Sequence, residues 1–580
     1  MTPARIRTDE QITAQLVAGE GTYPLKLKGG TAKLDSSWSP YGQADLTIAM
    51  PDAETWAALD PRTDVAPRLQ LHHQVDGAQR DYDLALRVRQ LDYLGDVQIS
   101  ADTDECLLQD LTNVTAVVDV GARAHQGSLR GLVGEWLLPK IGATLEPGSA
   151  DADVTTTTEV TNLLINGGVE GTDLSTFVAS ACTISRVSGI HTGPYSAFAL
   201  GMQAPTSTSS QLRFTGDAAS GTFQFGMQAG STYTFRADLL PQSPSGSASS
   251  SDNLQVAIYY MNAAGSYVTV RGNRVSASGS WQESRVTAAI PVDARAAFVR
   301  VLFGYSGGTL GVDNMMLVEG DGLETSGQPL AFFDGNFPSD AHYSYTWSGA
   351  ANASTATRDP LVDRDPESLA WMPGRSLWDL ISPVVAAAGM RLFCDEQRRW
   401  RLIGSDYIEP GTVIVSRGVN LKSGTDSIDL ADADGWFDAV VVAYIWTDAA
   451  GVQQTRYDVA GAPGSSRALY REETSPYPGP GLAAYVLKRQ QAKGHQLSPT
   501  VVSDPSVQPY NPVVVIAPDT PLLTGLVSAV SFDLAGDEMT VTTAGLADTP
   551  VNAIVIGPDG HPIADIPAGH PIDTAEWSAL

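Results

Sequence analysis

Alternation of hydrophobic and polar residues predicts a series of strands within the first 155 residues. Residues 82–88 place Tyr, Leu, Leu and Val at every second position, which is the pattern of a strand with one buried face. Another strand is predicted at residues 45–50. Short helices are predicted at residues 54–59 and 128–138. This region therefore combines strands with short helices.

Residues 156–320 follow a different pattern. Short runs rich in β-branched and aromatic residues, such as LQVAIYYMN and AFVRVLFGY, are separated by clusters of Gly, Ser, Asn and Pro. Helical periodicity is almost absent. The spacing predicts a two-sheet β-sandwich, and the string EPGSADADVTTTTEVT before it reads as a linker.

Helical periodicity returns after residue 360. Apolar residues recur with i, i+3, i+4 and i+7 spacing over residues 377–388, where Ser376 is the predicted N-cap and Gly389 the C-terminal stop. A strand at residues 440–444 and a second helix at residues 482–493 follow. An antiparallel β unit with a turn at Gly536 completes the ordered pattern.

The predicted fold class is mainly β with minor α. The chain of 580 residues is too long for one core. Changes of pattern divide it into residues 1–155, a sandwich at 156–320, a connecting element at 321–359, residues 360–546 and an extension at 547–580. The extension is rich in Pro and Gly and shows no core of its own.

Acidic residues outnumber basic ones, with 65 Asp plus Glu against 36 Lys plus Arg and a formal net charge of −29. This charge disfavours nonspecific binding to nucleic acid or anionic lipid. No leader pattern opens the sequence and no apolar run approaches the ~20 residues of a membrane span. We therefore expect a soluble chain without its own export signal or stable membrane insertion. Cys106, Cys182 and Cys394 are predicted to be buried thiols.

The middle segment resembles a known superfamily. The strings TNLLINGGVEGTDLSTF and FGYSGGTLGVDNMMLVEG are similar to the opening and closing parts of jelly-roll carbohydrate-binding modules, which accompany bacterial glycanases and also occur in phage minor tail proteins. The next segment, PLAFFDGNFPSDAHYSYTWSGAANASTATR, resembles an element that follows such modules in minor tail proteins of phages infecting actinobacteria.

The flanking regions resemble phage tail-hub proteins, through strings such as WSPYGQADLTIAMPD and SLWDLISPVVAAAGMRLFCDEQRRWRL. This resemblance implies that the jelly roll is inserted into a discontinuous hub module, of α+β or β-barrel type, formed by residues 1–155 and 360–546. It also implies a structural, non-enzymatic protein of the virion, at the hub or baseplate of the tail tip.

The implied assembly is a homotrimeric ring between tail tube and tip. The implied partners are the tail tube or distal tail protein, tip or fibre proteins and the tape measure, and genomic DNA only passes through the lumen. The sandwich is expected to contact host cell-wall polysaccharide during adsorption, or to act as a spacer or protein-contact module. Two alternatives remain, a glycan-active hydrolase and a secreted surface adhesin carrying such a module.

No catalytic residue is predicted. The string GYSGG at residues 304–308 matches an esterase elbow formally, but it lies between two predicted strands and is interpreted as a turn. Adjacent histidines in a strand, His72 and His73, point to opposite faces and cannot share a metal. Three acidic clusters are interpreted as solvated loops: Asp102, Asp104 and Glu105; Asp363, Asp365 and Glu367; Asp432, Asp434 and Asp438.

Glu170 and Asp313 are the predicted metal ligands. Modules of the resembled type hold a structural Ca²⁺ through one acidic side chain near the first strand and another near the last, with further oxygen ligands. Glu170 and Asp313 occupy those places. The alternative, that both are ordinary turn residues, stays open.

Sugar binding requires aromatic rings presented on a face or rim, because an apolar sugar face stacks on a ring. Trp281 is expected in the core, and Tyr259 and Tyr260 are neighbours in a strand, so that one faces outward. The predicted carbohydrate-binding residues are Tyr195, Tyr259, Tyr260, Tyr267 and Tyr305.

Overall fold

The computed structural model describes residues 10–549, apart from residues 64–65, 93–94, 191–196, 204–208, 216–221, 249–253, 425, 429–435, 494 and 517–521. The prediction of a mainly β protein with minor α is confirmed. The chain divides into two compact units. Unit 1 comprises Met1–Val154 together with Glu367–Leu580, and unit 2 comprises Thr155–Pro366. From residue 550 onward, the predicted extension lies outside the described residues.

The first half of unit 1 combines strands with short helical segments. Its strands are β1 (Glu10–Ala18), β2 (Gly21–Leu25), β3 (Leu27–Asp35), β4 (Gly42–Ala49), β5 (Arg68–Val75), β6 (Ala78–Leu91) and β7 (Asp96–Asp102). Its helices are α1 (Ala53–Ala58), α2 (Glu105–Asp110) and α3 (Leu129–Gly131). The segment predicted at residues 128–138 is helical but irregular, because α3 continues as a π-helix over Leu132–Leu137 and a 3-10 helix over Leu138–Ile141. Another 3-10 helix spans Gly121–His125.

Unit 2 is built from strands, with one short 3-10 helix at Gln224–Gly226. The strands are β8 (Val160–Asn162), β9 (Phe177–Ser180), β10 (Thr183–Ser188), β11 (Phe198–Gln203), β12 (Ser210–Phe214), β13 (Thr232–Ala248), β14 (Gln255–Met261), β15 (Tyr267–Arg271), β16 (Gln282–Ala289), β17 (Ala296–Phe303), β18 (Tyr305–Glu319), β19 (Tyr343–Trp347) and β20 (Ala356–Pro360).

The second half of unit 1 begins within a 3-10 helix at Pro366–Leu369 and contains helices α4 (Leu377–Ala387) and α5 (Leu482–Lys493). Its strands are β21 (Arg391–Cys394), β22 (Trp400–Ile403), β23 (Val413–Ser416), β24 (Leu421–Ser423), β25 (Asp426–Ile428), β26 (Ala439–Thr447), β27 (Gln453–Gly461), β28 (Ala468–Glu473), β29 (His495–Leu497), β30 (Thr500–Val502), β31 (Pro512–Ile516), β32 (Leu522–Asp533) and β33 (Glu538–Thr549).

One large sheet joins the two halves of unit 1. Its strand order is β2-β1-β5-β6-β7-β4-β3-β32-β33-β30-β24, and the junction is the antiparallel pair β3 and β32, with Thr31 opposite Asp533. Leu34 and Leu46 from the first half pack with Val530 and Phe532 from the second. Among the described residues β2 and β24 do not pair with each other, so the α+β form of the prediction is observed and the closed barrel is not.

Unit 2 is a β-sandwich of two five-stranded sheets, ordered β10-β11-β18-β13-β16 and β15-β14-β17-β12-β9. Its core is apolar and includes Phe235, Ile258, Val301 and Phe303. A separate sheet, β19-β20-β8, pairs the start of the unit with its end, with Asn162 opposite Ala356. The chain therefore enters and leaves unit 2 on two neighbouring strands.

Local sequence signals explain several elements. Ser376 and Asp379 form a capping box at the start of α4. Gly389, with φ of 69°, follows the C-cap of α4 and takes the left-handed conformation that ends a helix. The predicted strand at residues 82–88 is β6, but Val88 is 49% exposed. A register shift between Leu86 and Val88 breaks the alternation there.

Val154 and Thr156 of the predicted linker are buried. One sequence interpretation needs correction. Cys106 and Cys394 are buried as expected, whereas Cys182 is only half-buried. No helix in the described part of the chain has the length and apolar character needed to cross a membrane.

Candidate functional site

One candidate site is the side of the sheet β15-β14-β17-β12-β9 that faces away from the sandwich core. Along β14, Val256 and Ile258 point into the core, so the residues between them point away from it. Directly paired residues lie on the same side of a sheet. The set that faces away, called here the outer face, is Val178, Ser180, Gln211, Arg213, Gln255, Ala257, Tyr259, Met261, Tyr267, Thr269, Arg271, Phe298, Arg300 and Leu302.

An aromatic cluster lies on this outer face. The ring of Tyr259 stacks on Phe298 at 5.1 Å, and Tyr267 meets Phe298 edge-on at 5.5 Å. The Arg300 guanidinium lies 4.6 Å from the ring centroids of both Tyr259 and Phe298, and it donates to Gln211 Oε1 at 3.0 Å. Phe298 is buried beneath the cluster, and Tyr267 is 46% exposed. The arrangement combines exposed ring surface with hydrogen-bonding groups.

The structure separates the predicted tyrosines. Tyr259 and Tyr267 lie on the outer face, whereas Tyr260 and Tyr305 pack against the sandwich core. The expectation that only one of Tyr259 and Tyr260 faces outward agrees with this. Tyr195 lies outside the described residues. Trp281 is half-buried, and its indole N–H donates to the Ile190 carbonyl at 2.8 Å.

Sequence reasoning missed Phe298 and Arg300. Both lie in AFVRVLFGY, where alternation indicates that they share a side of β17. Their position beside Tyr259 depends on the register of β14 against β17, in which Tyr259 is opposite Phe298. The strand pattern alone does not give that register.

The predicted calcium ligands make local hydrogen bonds. Glu170 Oε1 accepts from the backbone N–H groups of Ala197 and Phe198 at 2.7 and 3.0 Å. Asp313 is fully buried and accepts from the N–H of Asn314 at 2.7 Å. Burial, with a contribution from the negative charge of Glu170, raises the pKa of Asp334, an acid that the sequence analysis did not select.

A calcium ion needs six to eight oxygen ligands. Within the described residues, no group of three or more His, Cys, Asp or Glu side chains is arranged to hold a metal. Glu170 and Asp334 supply two neighbouring carboxylates at most, and one Glu170 oxygen already accepts two N–H groups. The calcium site therefore remains a prediction.

The first acidic cluster is not a solvated loop. Asp104 is buried and accepts from Arg68 at 2.8 Å and from Arg398 at 3.0 Å. Glu105 is fully buried, and its Oε2 accepts from the Tyr41 N–H at 2.7 Å. Burial raises the pKa of Glu105 to about 7. Both acids therefore belong to the interior of unit 1.

The other sequence candidates have ordinary structural roles. Asp363 is exposed, Asp438 accepts backbone N–H groups of a loop, and Asp432 and Asp434 lie outside the described residues. His73 is buried beside Glu10, and His72 pairs with Asp81 on the opposite side of β5. Ser306 of the GYSGG string lies inside β18, so this segment is strand and not a turn.

A second exposed surface lies in unit 1, on the sheet β27-β26-β28. Val440, Val442 and Tyr444 of β26 pack into a core with α5. The opposite side of the sheet, called here the assembly face, is formed by Val441, Ala443, Ile445, Thr455, Tyr457, Val459, Tyr470 and Glu472. Tyr457, Val459 and Tyr470 are 61%, 62% and 57% exposed. Large exposed apolar patches are typical of surfaces that bind a protein, a membrane or a ligand.

Solved structures with similarity to this chain include phage tail proteins. The tail protein of Neisseria meningitidis MC58 has a TM-score of 0.34 and 10% identity, covering 92% of this chain and 96% of that chain. The 43 kDa tail protein of prophage MuSo2 from Shewanella oneidensis has a TM-score of 0.37 and 9% identity, covering 92% and 98%.

Carbohydrate-binding modules are the second group. The C-terminal family 22 module of Clostridium thermocellum Xyn10B has a TM-score of 0.20 and 15% identity, covering 26% of this chain and 90% of that chain. Phage tail proteins and carbohydrate-binding modules are also the two groups that the sequence strings resemble. No protein-family model matches the chain, and no curated protein matches it.

Proposed function

We propose that this chain is a structural protein of a phage tail, located at the hub or baseplate of the tail tip. The assembly face is the observation that carries this proposal. Large apolar side chains more than half exposed, as Tyr457, Val459 and Tyr470 are, favour a protein partner over permanent contact with water. The sequence resemblance to tail-hub proteins agrees with that role.

The proposed assembly is a homotrimeric ring between the tail tube and the tip. A closed ring requires each copy to present two different complementary surfaces. The assembly face supplies one of them. Within the described residues, β27 and β28 are the edges of this sheet, and an edge strand offers backbone groups to a neighbouring strand. The other partners are the tail tube or distal tail protein, tip or fibre proteins and the tape measure.

The proposed mechanism is geometric and not enzymatic. Ser306, in the one formal nucleophile motif of the sequence, lies in a strand, where it lacks the strand-to-helix turn of an esterase. The net charge of −29 would matter where the ring lines the tail lumen, because DNA is also negatively charged. Like charge keeps genomic DNA from adhering as it passes.

The outer face of unit 2 is the proposed contact with host cell-wall polysaccharide. Tyr259 and Tyr267 offer ring surface for an apolar sugar face, and Gln211 and Arg300 offer polar groups for hydroxyls. A single contact of this kind is weak, and several copies in one particle turn weak contacts into firm attachment.

Cryo-electron microscopy of the tail and of the purified protein tests the assembly. A ring around the tail axis is expected. A monomer in solution that is absent from the tail would overturn the structural proposal. Glycan arrays and adsorption assays test unit 2 separately, and no binding together with unchanged adsorption after its deletion would reject the glycan contact.

A further inference from the structure

Unit 1 contains a cavity of about 450 Å³ whose lining is more basic than the chain as a whole. It lies among β3, the start of β21, α5 and the hairpin of β32 and β33. Its volume is in the range of ligand sites, which is roughly 300 to 1,000 Å³. We call it the basic cavity, and its charged lining residues are Lys33, Asp35, Arg391, Lys488 and Arg489.

Three of the cationic side chains donate to neutral oxygens. Arg391 donates to the carbonyls of Asp35 and Trp38 at 3.2 and 2.6 Å. Lys488 donates to the Ser405 carbonyl at 2.9 Å, and Arg489 donates to the Tyr485 hydroxyl at 2.9 Å. None of these hydrogen bonds neutralises the charge of its donor.

The acid of the lining is already paired. Asp35 forms an ion pair with Lys33 at 3.2 Å and accepts from Ser37. Burial lowers the pKa of Arg391, but Tyr510 in the lining and Glu105 outside it raise this pKa above its ordinary value. The pKa of Glu105 is itself about 7. Arg391 Nη1 is buried and makes no hydrogen bond of normal geometry with a described residue. The basic cavity therefore carries an excess of positive charge in a chain of net charge −29.

Its remaining walls are aromatic and aliphatic. Tyr407, Tyr485 and Tyr510 line it, together with Ile403 and Leu526. A small anion such as phosphate keeps its hydration and gains little from such walls. A carboxylate attached to an apolar body uses both features, because a cation binds its charge while the walls cover its apolar part.

We propose that the basic cavity binds a peptide segment that carries an Asp or Glu next to a large apolar side chain. Lys488 and Arg489, consecutive on α5, receive the carboxylate at the entrance, and Arg391 holds it from within. The apolar side chain packs among the three tyrosines. This site is separate from the assembly face and from the outer face of unit 2, so it does not depend on either.

Selection from a displayed library of random peptides, with the purified full chain as bait, tests the proposal without assuming a sequence. Recovered peptides are expected to be enriched in Asp or Glu beside aromatic or aliphatic residues. Binding, measured by fluorescence anisotropy, is expected to weaken at least tenfold in Lys488→Gln and further in Lys488→Gln with Arg489→Gln. The matched control is Lys422→Gln, since Lys422 pairs with Asp537 and Glu538 outside the cavity.

Several outcomes overturn the proposal. One is that no such peptides are recovered. Another is that the recovered peptides bind Lys488→Gln, and Lys488→Gln with Arg489→Gln, as tightly as the unchanged chain. Binding of inorganic phosphate that depends on Lys488, without any peptide binding, would assign the cavity to small anions instead. Melting temperatures of the variants show whether they fold.

A chain ending at residue 549 distinguishes two sources of the peptide. Residues 550–580 contain four acidic residues and no Lys or Arg. Tighter binding of the selected peptides by the shortened chain would identify this segment as the competitor. Equal binding by both chains would identify a second protein as the source.

Discussion

Unit 1 and unit 2 are both β structures that bury ionisable groups, but they expose different side chains. Unit 1 buries the pair Arg80 and Glu396 and the acids Asp104 and Glu105, and it exposes tyrosine and valine on the assembly face. Unit 2 buries Asp313 and Asp334, and it exposes tyrosine and arginine on its outer face.

The two surfaces would suit the two different partners proposed above. Exposed valine and tyrosine gain most when a protein surface removes them from water. An outer face that mixes rings with arginine and glutamine suits a hydrated, polar ligand. The buried ionisable groups of unit 1 also couple its stability to pH.

The largest expected effect is loss of assembly when charge is placed on the assembly face. Tyr457→Lys with Tyr470→Lys should weaken self-association by about 1,000-fold, since a tyrosine at the centre of an interface contributes about 2 kcal/mol. Both side chains are more than half exposed, so folding should be retained. Mass photometry measures the oligomer. Tyr267→Lys, on unit 2, is the matched control and should assemble normally.

The next effect is on the stability of unit 1 as pH changes. The folded pKa of Glu105 is about 7, above its ordinary value of 4.5, so its stabilising contribution is complete below pH 4.5 and is lost as pH rises to about 7. The loss is at most about 3 kcal/mol. Glu105→Gln should therefore melt at a higher temperature than the unchanged chain at pH 8, and the difference should shrink at pH 4.5. Equal melting temperatures of the variant and the unchanged chain at both pH values would contradict a raised pKa of Glu105.

A smaller effect is expected on the outer face. Tyr259→Ala removes the ring that stacks on Phe298, and Arg300→Gln removes a guanidinium beside both rings. Each should weaken binding to cell-wall polysaccharide about tenfold, or about 1.4 kcal/mol. Isothermal titration measures the affinity. The control is Arg295→Gln, because Arg295 is exposed and is not among the residues of the outer face. This variant should bind the polysaccharide as tightly as the unchanged chain does.

The smallest effect is that of calcium on unit 2. If Glu170 and Asp313 help to bind it, Ca²⁺ should raise the melting temperature of the sandwich by a few degrees, corresponding to about 1 kcal/mol. Glu170→Gln should remove the shift, and unit 1 should not respond. Calorimetry with and without a chelator measures this, and an unchanged melting temperature in Ca²⁺ would reject the site.

The sequence predicts best those elements whose signals are local. The bounds of α5 agree with the predicted residues 482–493, and α4 begins after the predicted cap at Ser376. The alternation at Tyr259 and Tyr260 gives the correct sides because the period of a strand is two. Such signals depend on a few consecutive residues.

The failures are the features that distant residues decide. The sequence pattern predicts that Asp104 and Glu105 lie in a solvated loop. In the structure they are buried, because Arg68 and Arg398 donate to Asp104 and the Tyr41 N–H donates to Glu105. Val88 leaves the predicted alternation because of a register shift against β7. The cluster around Arg300 depends on which residues of β14 and β17 are opposite each other. Sequence patterns show which side a residue faces, but not its partners across strands.

The pairing of β8 with β20 brings the two ends of the sandwich unit together, which is the property that allows a domain to be inserted into another one. Val160 of β8 lies opposite Arg358 of β20, so the two ends of the inserted segment are one strand spacing apart. For the folding of unit 1, the insertion is therefore a loop whose ends are held together by unit 2 itself. The entropic cost of closing a loop grows only slowly with its length, so the host unit tolerates a large insert nearly as well as a small one. Exchange of residues 160–358 for another domain with adjacent termini is therefore expected to leave unit 1 able to fold.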